Sequence, residues 1–315
     1  MSIKKPMLAA SMEDSKGNEM TFADLTYPLA ASIKLDGIRC LRVEDKSLSR
    51  SFKPIRNKYI QRQMTGLIDG LDGELVTYNE DGSVRMFIEV IGDVMRSDGE
   101  PNFKFEIFDY VKDSLDKPYL DRINDLKALW QDNELTEFCV LVLPTIINNE
   151  AELLAFEEQA LLDGHEGIMT RSLKGPYKGG RATFKSQDLI KIKRFVDSEA
   201  IILGYEEKLN NENEATKDEL GHTKRSSAKA GMVPAGTLGT LLVRDIHSGA
   251  EFGVGTFKGL VQEDLQKIWD DKDEYLGKLI KYQYQKVGAK IDPVTGILTP
   301  RIPSFQGFRD EEDMS

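Results

Sequence analysis

Short β-type runs separated by Gly-bearing turns, with amphipathic helices concentrated in the first half, constrain this chain most. Residues 29–33 read as a strand, Asp36-Gly37 as a turn and residues 38–43 as a returning strand with alternating residue types, so the spacing predicts a hairpin-like feature. Residues 58–67 carry Ile60, Met64 and Leu67 at helical spacing, residues 69–73 break that helix, and 74–78 resume as strand. An aromatic-rich strand is predicted at 103–111 and helices at 119–131 and 150–162, the second stopping at Asp163-Gly164. Residues 138–147, between the helices, read as a buried strand. No repeat of fixed period is present, which excludes solenoids and propellers.

After Gly164 the pattern changes. Strands at 168–170 and 189–195 flank the Gly- and Lys-rich stretch 175–185, and Asp197-Ser198 reads as a hinge. Four strand candidates follow, at 200–205, 237–245, 251–256 and 279–286, with one helix at 261–271. Many short strands with a single helix suit a small β-barrel such as the OB-fold. Residues 208–233 interrupt that barrel with a polar excursion too long for an ordinary connection, which leaves a disordered segment or a functional loop.

The 315 residues suit two domains, and 40% hydrophobic with 30% charged residues describes a chain that buries a core. The net charge of -11 argues against a surface that coats nucleic acid everywhere. A local basic groove remains compatible, because residues 171–194 hold eight Lys and Arg against Asp188 alone, a balance of +7. No apolar stretch approaches the ~18 residues that span a bilayer, and residues 1–10 lack the apolar run of a secretion signal. With only Cys40, Cys139 and three histidines, a zinc knuckle is not expected; any metal should be oxygen-bound, and the setting intracellular, soluble and reducing.

The residues that point to chemistry begin with Lys34-Leu35-Asp36-Gly37-Ile38-Arg39. A nucleophilic lysine must reach its neutral form near neutral pH, which needs desolvation or nearby positive charge; Arg39 and a bound metal are the candidates to supply it. Alone, the hexapeptide reads more readily as a surface Asp-Gly turn flanked by Lys and Arg, which is common, than as a catalytic site. Further along come the stretch 48–57, Asp72-Gly73-Glu74, Phe105-Glu106-Ile107-Phe108-Asp109-Tyr110, His165-Glu166-Gly167-Ile168-Met169 and Leu189-Ile190-Lys191-Ile192-Lys193.

In this order the motifs resemble those of the covalent nucleotidyltransferases, the superfamily of ATP-dependent DNA ligases, RNA ligases and mRNA capping enzymes. With residues 5–10 and 221–226 included, the chain is most similar to minimal viral ATP-dependent DNA ligases over nearly its whole length. The resemblance implies an α+β fold: an ATP-grasp-like nucleotidyltransferase (adenylation) domain of antiparallel sheets and helices over residues 1–195, then a β-barrel OB-fold domain over 196–315, with a DNA-holding latch at about 208–233.

It further implies ATP and Mg²⁺ as cofactors and nicked duplex DNA as substrate, sealed in repair, replication or recombination. The chain is expected to act as a monomer encircling DNA, without a membrane, in the cytoplasm of a virus- or phage-infected cell. With Lys34 so near the start, no upstream DNA-binding domain is expected. Lys34 would be the nucleophile, next to Ile33; Lys191 and Lys193 would bracket the α-phosphate, and period two does put them on one strand face. Glu74 and Glu166 would hold the metal, Glu74 also the ribose, and Phe108 would stack on adenine, although Phe103, Phe105 and Phe108 would ordinarily be core. Arg50 would hold the nick phosphate, Arg39 the ribose or DNA end, and Lys224, Arg225 and Lys229 the duplex, while Glu212, Glu214, Asp218 and Glu219 make the first half of the latch acidic. Residues 300–310 resemble the last ligase motif, with Arg301 and Arg309, and more weakly Asp313, as candidates to orient pyrophosphate.

The alternatives differ at nameable residues. A capping enzyme has tryptophan where this chain has Ile192, an RNA ligase often lacks the OB domain, and an NAD-dependent ligase carries a cysteine zinc module. A non-enzymatic DNA clamp would need the basic segment but not Lys34, Glu74 and Lys191 together.

Overall fold

The computed structural model describes residues 3–132, 137–217, 223–226, 228–291 and 296–309. The chain divides into two compact units, Met1–Arg194 and Phe195–Ser315.

The first unit runs β1 (Met7–Leu8), β2 (Leu29–Ile33), β3 (Ile38–Val43), β4 (Lys46–Ser49), α1 (Lys58–Gln63), β5 (Leu71–Thr77), α2 (Phe87–Met95), β6 (Phe103–Tyr110), α3 (Tyr119–Asp132), β7 (Cys139–Leu141), β8 (Thr145–Ile147), α4 (Glu150–Leu162), β9 (Gly167–Ser172), β10 (Gly180–Arg181) and β11 (Ile190–Lys193). Two sheets organise it: a four-stranded one in the order β11-β9-β2-β8 and a five-stranded one in the order β4-β3-β5-β6-β7. The first packs its apolar side with α4 around Ala31, Ile147, Leu153, Ile168 and Ile190; the second packs against α1, α2 and α3 around Ile60, Leu75, Val90, Phe105 and Leu126.

Strands 29–33 and 38–43 form with the expected bounds, but they do not make a hairpin. β2 pairs with β8 and β9, whereas β3 pairs with β4 and β5. The reason is Gly37. A Cβ there would lie 2.4 Å from the Leu75 carbonyl oxygen and 2.8 Å from Glu74 Cγ, so only a bare backbone can cross to β5 and begin pairing at Ile38 opposite Leu75. Gly37→Ala is therefore expected to cost about 1–3 kcal/mol through forced displacement, a fall in Tm of roughly 2–12 °C for a unit of this size. Gly92→Ala in α2, where a Cβ meets nothing within 4 Å, is the control and should not lower Tm in the same melt.

The predicted buried strand 138–147 is two short strands in different sheets. β7 lies parallel to β6 and β8 antiparallel to β2, with Pro144 between them unable to donate a ladder hydrogen bond. Thr145 and Ile146 of β8 are exposed, so burial is confined to Cys139 and Ile147. Strand β4 and helix α2 were not anticipated.

The second unit holds β12 (Val196–Asn211), β13 (Ala215–Lys217), β14 (Thr223–Arg225), a 3-10 turn at Lys229–Gly231, β15 (Met232–Asp245), β16 (Glu251–Val254), β17 (Thr256–Phe257), α5 (Gln262–Asp270), α6 (Lys272–Tyr275), β18 (Leu279–Ile291) and β19 (Leu298–Arg309). Its sheet has the order β16-β15-β12-β18-β19-β17. Buried Ile202, Leu241, Val243, Ile280, Tyr282 and Phe305 form its core with α5. Asp245 anchors a turn there by accepting from Ser198 Oγ (2.6 Å), Tyr282 Oη (2.8 Å) and the Ser248 backbone N–H (2.6 Å). Asp197 and Ser198, read as a hinge, are paired residues of β12 opposite Gln283 and Tyr282. The last strand, β19, was not anticipated. Among the described residues no helix is long and apolar enough to cross a membrane.

The excursion 208–233 is less of an interruption than the sequence suggests. β12 and β15 continue into it and stay paired as far as Asn211 opposite Met232, and the short hairpin β13–β14 stands beyond. Asp218, Glu219 and Gly221 of the excursion, and Asp313 at the other end, lie outside the described residues.

Candidate functional site

A cavity of about 230 Å³ opens in the first unit where the two sheets meet. Ile33, Lys34, Arg39, Arg50, Glu74, Phe108 and Lys191 line it, so residues spread over more than 150 positions of sequence are gathered at one place. Lys34 is carried there by β2, whose pairing with β9 is prolonged by the Lys34 backbone N–H donating to the Gly167 carbonyl at 2.9 Å. Gly167 is held at φ 154°, and a Cβ on it would lie 2.1 Å from the Ile192 carbonyl oxygen, so glycine is needed where β9 meets β11.

Glu166, just before it, has a side chain only 1% exposed. One carboxylate oxygen accepts from Lys34 Nζ and the other from Lys193 Nζ. Burial alone would raise this carboxyl, but the two ammonium groups outweigh it and hold it below its ordinary value. Lys191 and Lys193 share the half-buried face of β11 while Ile190 and Ile192 are buried, yet the two lysines differ. Lys193 is committed to Glu166. Among the described residues Lys191 has no carboxylate partner, and burial, together with the charges of Lys193, Arg181, Lys34 and Arg50, lowers its ammonium pKa.

Glu74 is half-buried on β5, where burial pushes its carboxyl up to about 7 against the opposing pull of Arg39 and Lys34. Of the three phenylalanines of β6, Phe103 and Phe105 are core, and only Phe108 faces the cavity. Arg39 lies over the Phe108 ring at 4.7 Å and Arg171 at 5.6 Å. Arg50, after β4, is exposed at the rim.

Two expectations about charge need correction. Arg39 does not stand as free positive charge beside Lys34, because Asp72, fully buried, grips it through Nε and through Nη2 at 2.6 Å. Tyr177 in turn donates to Asp72 at 2.6 Å and accepts from the Met7 N–H at 3.2 Å. The basic stretch 171–194 is also not a uniform phosphate-facing surface. Arg171 is buried and bonded to Asp109 (2.6 Å), Lys193 is held by Glu166 and Arg194 by Glu157. Lys174, Lys178, Arg181 and Lys185 are exposed with no carboxylate partner among the described residues, while Arg194 is exposed but paired with Glu157.

The sequence reading also passed over Asp72, Tyr177 and the buried set Asp109, Arg122 and Arg171, in which Arg122 donates to Asp109 at 2.8 Å through Nε. Asp72 and Asp109 sit inside quoted motifs, but their partners lie up to 105 residues away, and no local spacing announces them. The wall formed by Leu8 and Ala9 was also missed; it follows from the Lys191 N–H donating to the Ala10 carbonyl at 2.9 Å.

The remaining candidates belong to the second unit. Arg301 and Arg309 lie on β19 opposite Gln285 and Leu279. Lys224 is a residue of β14 opposite Thr216, Arg225 is exposed and donates to the Asn213 carbonyl, and Lys229 is exposed in the 3-10 turn.

Among the described residues no three His, Cys, Asp or Glu side chains converge as a metal cage. Glu74 and Glu166 are single oxygen donors, a set that fits Mg²⁺ only if phosphate oxygens and water complete its octahedron. The cavity therefore combines an amine at a strand end, an amine that has no carboxylate partner among the described residues, an aromatic platform and the Glu74 carboxylate, with Glu166 buried behind Lys34. That set suits displacement at a phosphorus atom, where charge neutralisation and positioning dominate.

A family model described as the ATP dependent DNA ligase domain matches residues 6–193. DNA ligase 1 of Korarchaeum cryptofilum is 27% identical over 305 residues, covering 88% of this chain and 50% of its own. The DNA ligase of Halobacterium salinarum is 30% identical over 272 residues, 77% of this chain and 43% of its own. That of African swine fever virus is 28% identical over 136 residues. The chain thus spans about half the length, or less, of these curated relatives. Among solved structures, the Chlorella virus DNA ligase-adenylate matches 98% of this chain and 100% of its own, with 30% identity and a TM-score of 0.54. A Lig E DNA ligase shares the fold at 21% identity and a TM-score of 0.65.

Proposed function

The chain belongs to the ATP-dependent DNA ligase family, and we propose that it seals 3′-hydroxyl/5′-phosphate nicks in duplex DNA through a covalent lysyl-AMP on Lys34. The observation that carries this reading is Lys34 Nζ at a cavity lined also by Lys191, Glu74 and Phe108. Lys34 leaves Glu166, gives a proton to solvent and attacks the α-phosphorus of ATP; the N–P bond forms as the bond to pyrophosphate breaks, and a second N–H proton passes to solvent to leave the lysyl-AMP. The 5′-phosphate of the nick then takes the AMP and frees the lysine, and the 3′-hydroxyl finally displaces AMP from that phosphate.

Each residue has a place in these steps. Phe108, steadied by Arg39 and Arg171, carries the adenine, Glu74 holds the ribose, and Lys191 at the cavity neutralises the α-phosphate, joined by Lys193 once it exchanges Glu166 for the phosphate. Glu74 and Glu166 would hold Mg²⁺, which supplies charge neutralisation on the phosphates. Arg50 holds the nick phosphate, and Arg301 and Arg309 orient pyrophosphate. We read residues 1–195 as the adenylation domain and 196–315 as an OB barrel, supported by its six-stranded sheet with α5 between β17 and β18. The excursion 208–233 is the DNA-holding element, with Lys224, Arg225 and Lys229 toward phosphates. The protein acts as a monomer encircling the duplex, in the cytoplasm of an infected cell.

Incubation with α-labelled ATP or GTP and Mg²⁺, followed by denaturing electrophoresis and a nick-sealing assay, tests this. Label from ATP with sealed DNA is expected. Label from GTP would move the chain to the capping class, and absence of label from either nucleotide would leave a DNA-binding protein without this chemistry.

A further inference from the structure

The base of the excursion is closed by side chains where the backbone ladder stops. The last ladder pair of β12 and β15 is Asn211 opposite Met232, and the Glu212 N–H still donates to the Gly231 carbonyl at 2.7 Å. Beyond that, Asn213 takes over. Its Nδ2 lies 2.9 Å from Asn211 Oδ1, 3.0 Å from the Ser226 carbonyl and 2.9 Å from the Ala228 carbonyl, and Asn211 Nδ2 adds a bond to Ser226 at 2.8 Å. Two carboxamides on the outgoing limb thus bond carbonyls of the returning limb, Ser226 through both side chains and Ala228 alongside the Gly231 N–H, which reaches it at 3.4 Å.

Gly231 completes the fastening. A Cβ there would come 2.3 Å from Asn213 Oδ1, so the glycine is a socket for that carboxamide. Two of the basic residues of the returning limb, Arg225 and Lys229, are set beside the same asparagine. Arg225 donates to the Asn213 carbonyl, and Lys229 opens the 3-10 turn that begins after Ala228 and ends in Gly231.

We propose that Asn213, seated on Gly231, is a positioning residue for DNA: it fixes the base of the excursion before the duplex arrives, so that Arg225 and Lys229 meet phosphates without first being ordered. This rests on the reading of 208–233 as a DNA-holding element. A segment ordered in advance does not lose affinity to ordering on contact. Losing the fastening should therefore weaken binding without removing any charged contact.

The test uses the full chain, adenylated beforehand, as wild type, Asn213→Ala, Gly231→Ala and the double variant Arg225→Ala/Lys229→Ala. Affinity for nicked duplex is read by fluorescence anisotropy between roughly 50 and 200 mM salt. Ordering is read separately by Glu-C proteolysis, whose sites include Glu212 and Glu214. Asn213→Ala and Gly231→Ala should each weaken binding about tenfold through the ordering cost, keep the wild-type salt slope and be cut faster at those glutamates. The double variant should lose up to about 0.9 of slope per contact removed. If the double variant weakens binding while Asn213→Ala binds like wild type, or binds weakly with wild-type protection, the positioning role is overturned. If the double variant changes neither affinity nor slope, the DNA-holding reading fails instead.

Discussion

Lys34→Ala is expected to take up no label from α-labelled ATP while remaining folded. The variant removes the only atom that would form the N–P bond, and deletion of a covalent nucleophile costs on the order of 10⁶-fold in rate, below detection here. The fold should tolerate it because Glu166, the buried carboxylate that Lys34 contacts, keeps Lys193 as a partner and is not left without a counter-charge. A melt therefore separates loss of chemistry from loss of structure. Nicked duplex already carrying AMP on its 5′-phosphate should still be sealed by the variant, since the last displacement uses the 3′-hydroxyl and not the lysine. Loss of that sealing as well would give Lys34 a second role; labelling of the variant would remove it as the nucleophile.

Asp109→Asn should be the most destabilising conservative change in the first unit. Asp109 is fully buried between Arg122, 1% exposed at its side chain, and Arg171, 7% exposed. Removing one partner of a buried charge set leaves the others uncompensated, at about 3–5 kcal/mol, a Tm lower by roughly 6–20 °C for a unit of this size. Burial by itself would raise the Asp109 carboxyl, but Arg171 and Arg122 hold it below the ordinary 3.8. The folded value lies below the unfolded one, so this stabilisation is complete above the unfolded value and disappears as pH falls through the folded value. The two proteins should thus differ fully at pH 7 and converge only below about pH 4. Melting temperatures across that range test it, and an equal difference at pH 7 and below pH 3 would contradict the charge argument. Because Arg171 also lies over Phe108, loosening of the cavity wall should accompany the loss.

Local patterning carried much of the element inventory. Strands 29–33 and 38–43 and helix 150–162 form with the bounds their periodicity indicates, because alternation and a Gly stop are local properties. Pairing was not local. Whether β3 folds back on β2 depends on the space Gly37 leaves beside Leu75, which is 38 positions further along the chain (75 − 37). Likewise Pro144 split one expected strand between two sheets. At the cavity, the order of motifs identified Lys34, Glu74, Phe108 and Lys191, which the structure brings to one place. It could not tell Arg171, buried against Asp109, from Arg181, exposed at the rim, because both are simply basic residues in a basic stretch. Ion-pair partners are chosen in three dimensions, and that choice separates charges that neutralise the interior from charges left for a ligand.

Glu166 serves two lysines, and among the described residues the third amine of the neighbourhood, Lys191, has no carboxylate partner, which gives the cleft a chemical selectivity of its own. In the free protein a small lysine-directed electrophile, such as an aryl sulfonyl fluoride, should be captured first by Lys191, whose amine form is favoured by burial and by the surrounding cations, and not by Lys34, engaged with Glu166. Peptide mapping by mass spectrometry after limited reaction would show this, and first modification at Lys34 would refute it. An inhibitor or occupancy probe anchored at Lys191 could then report on the cleft without consuming the nucleophile.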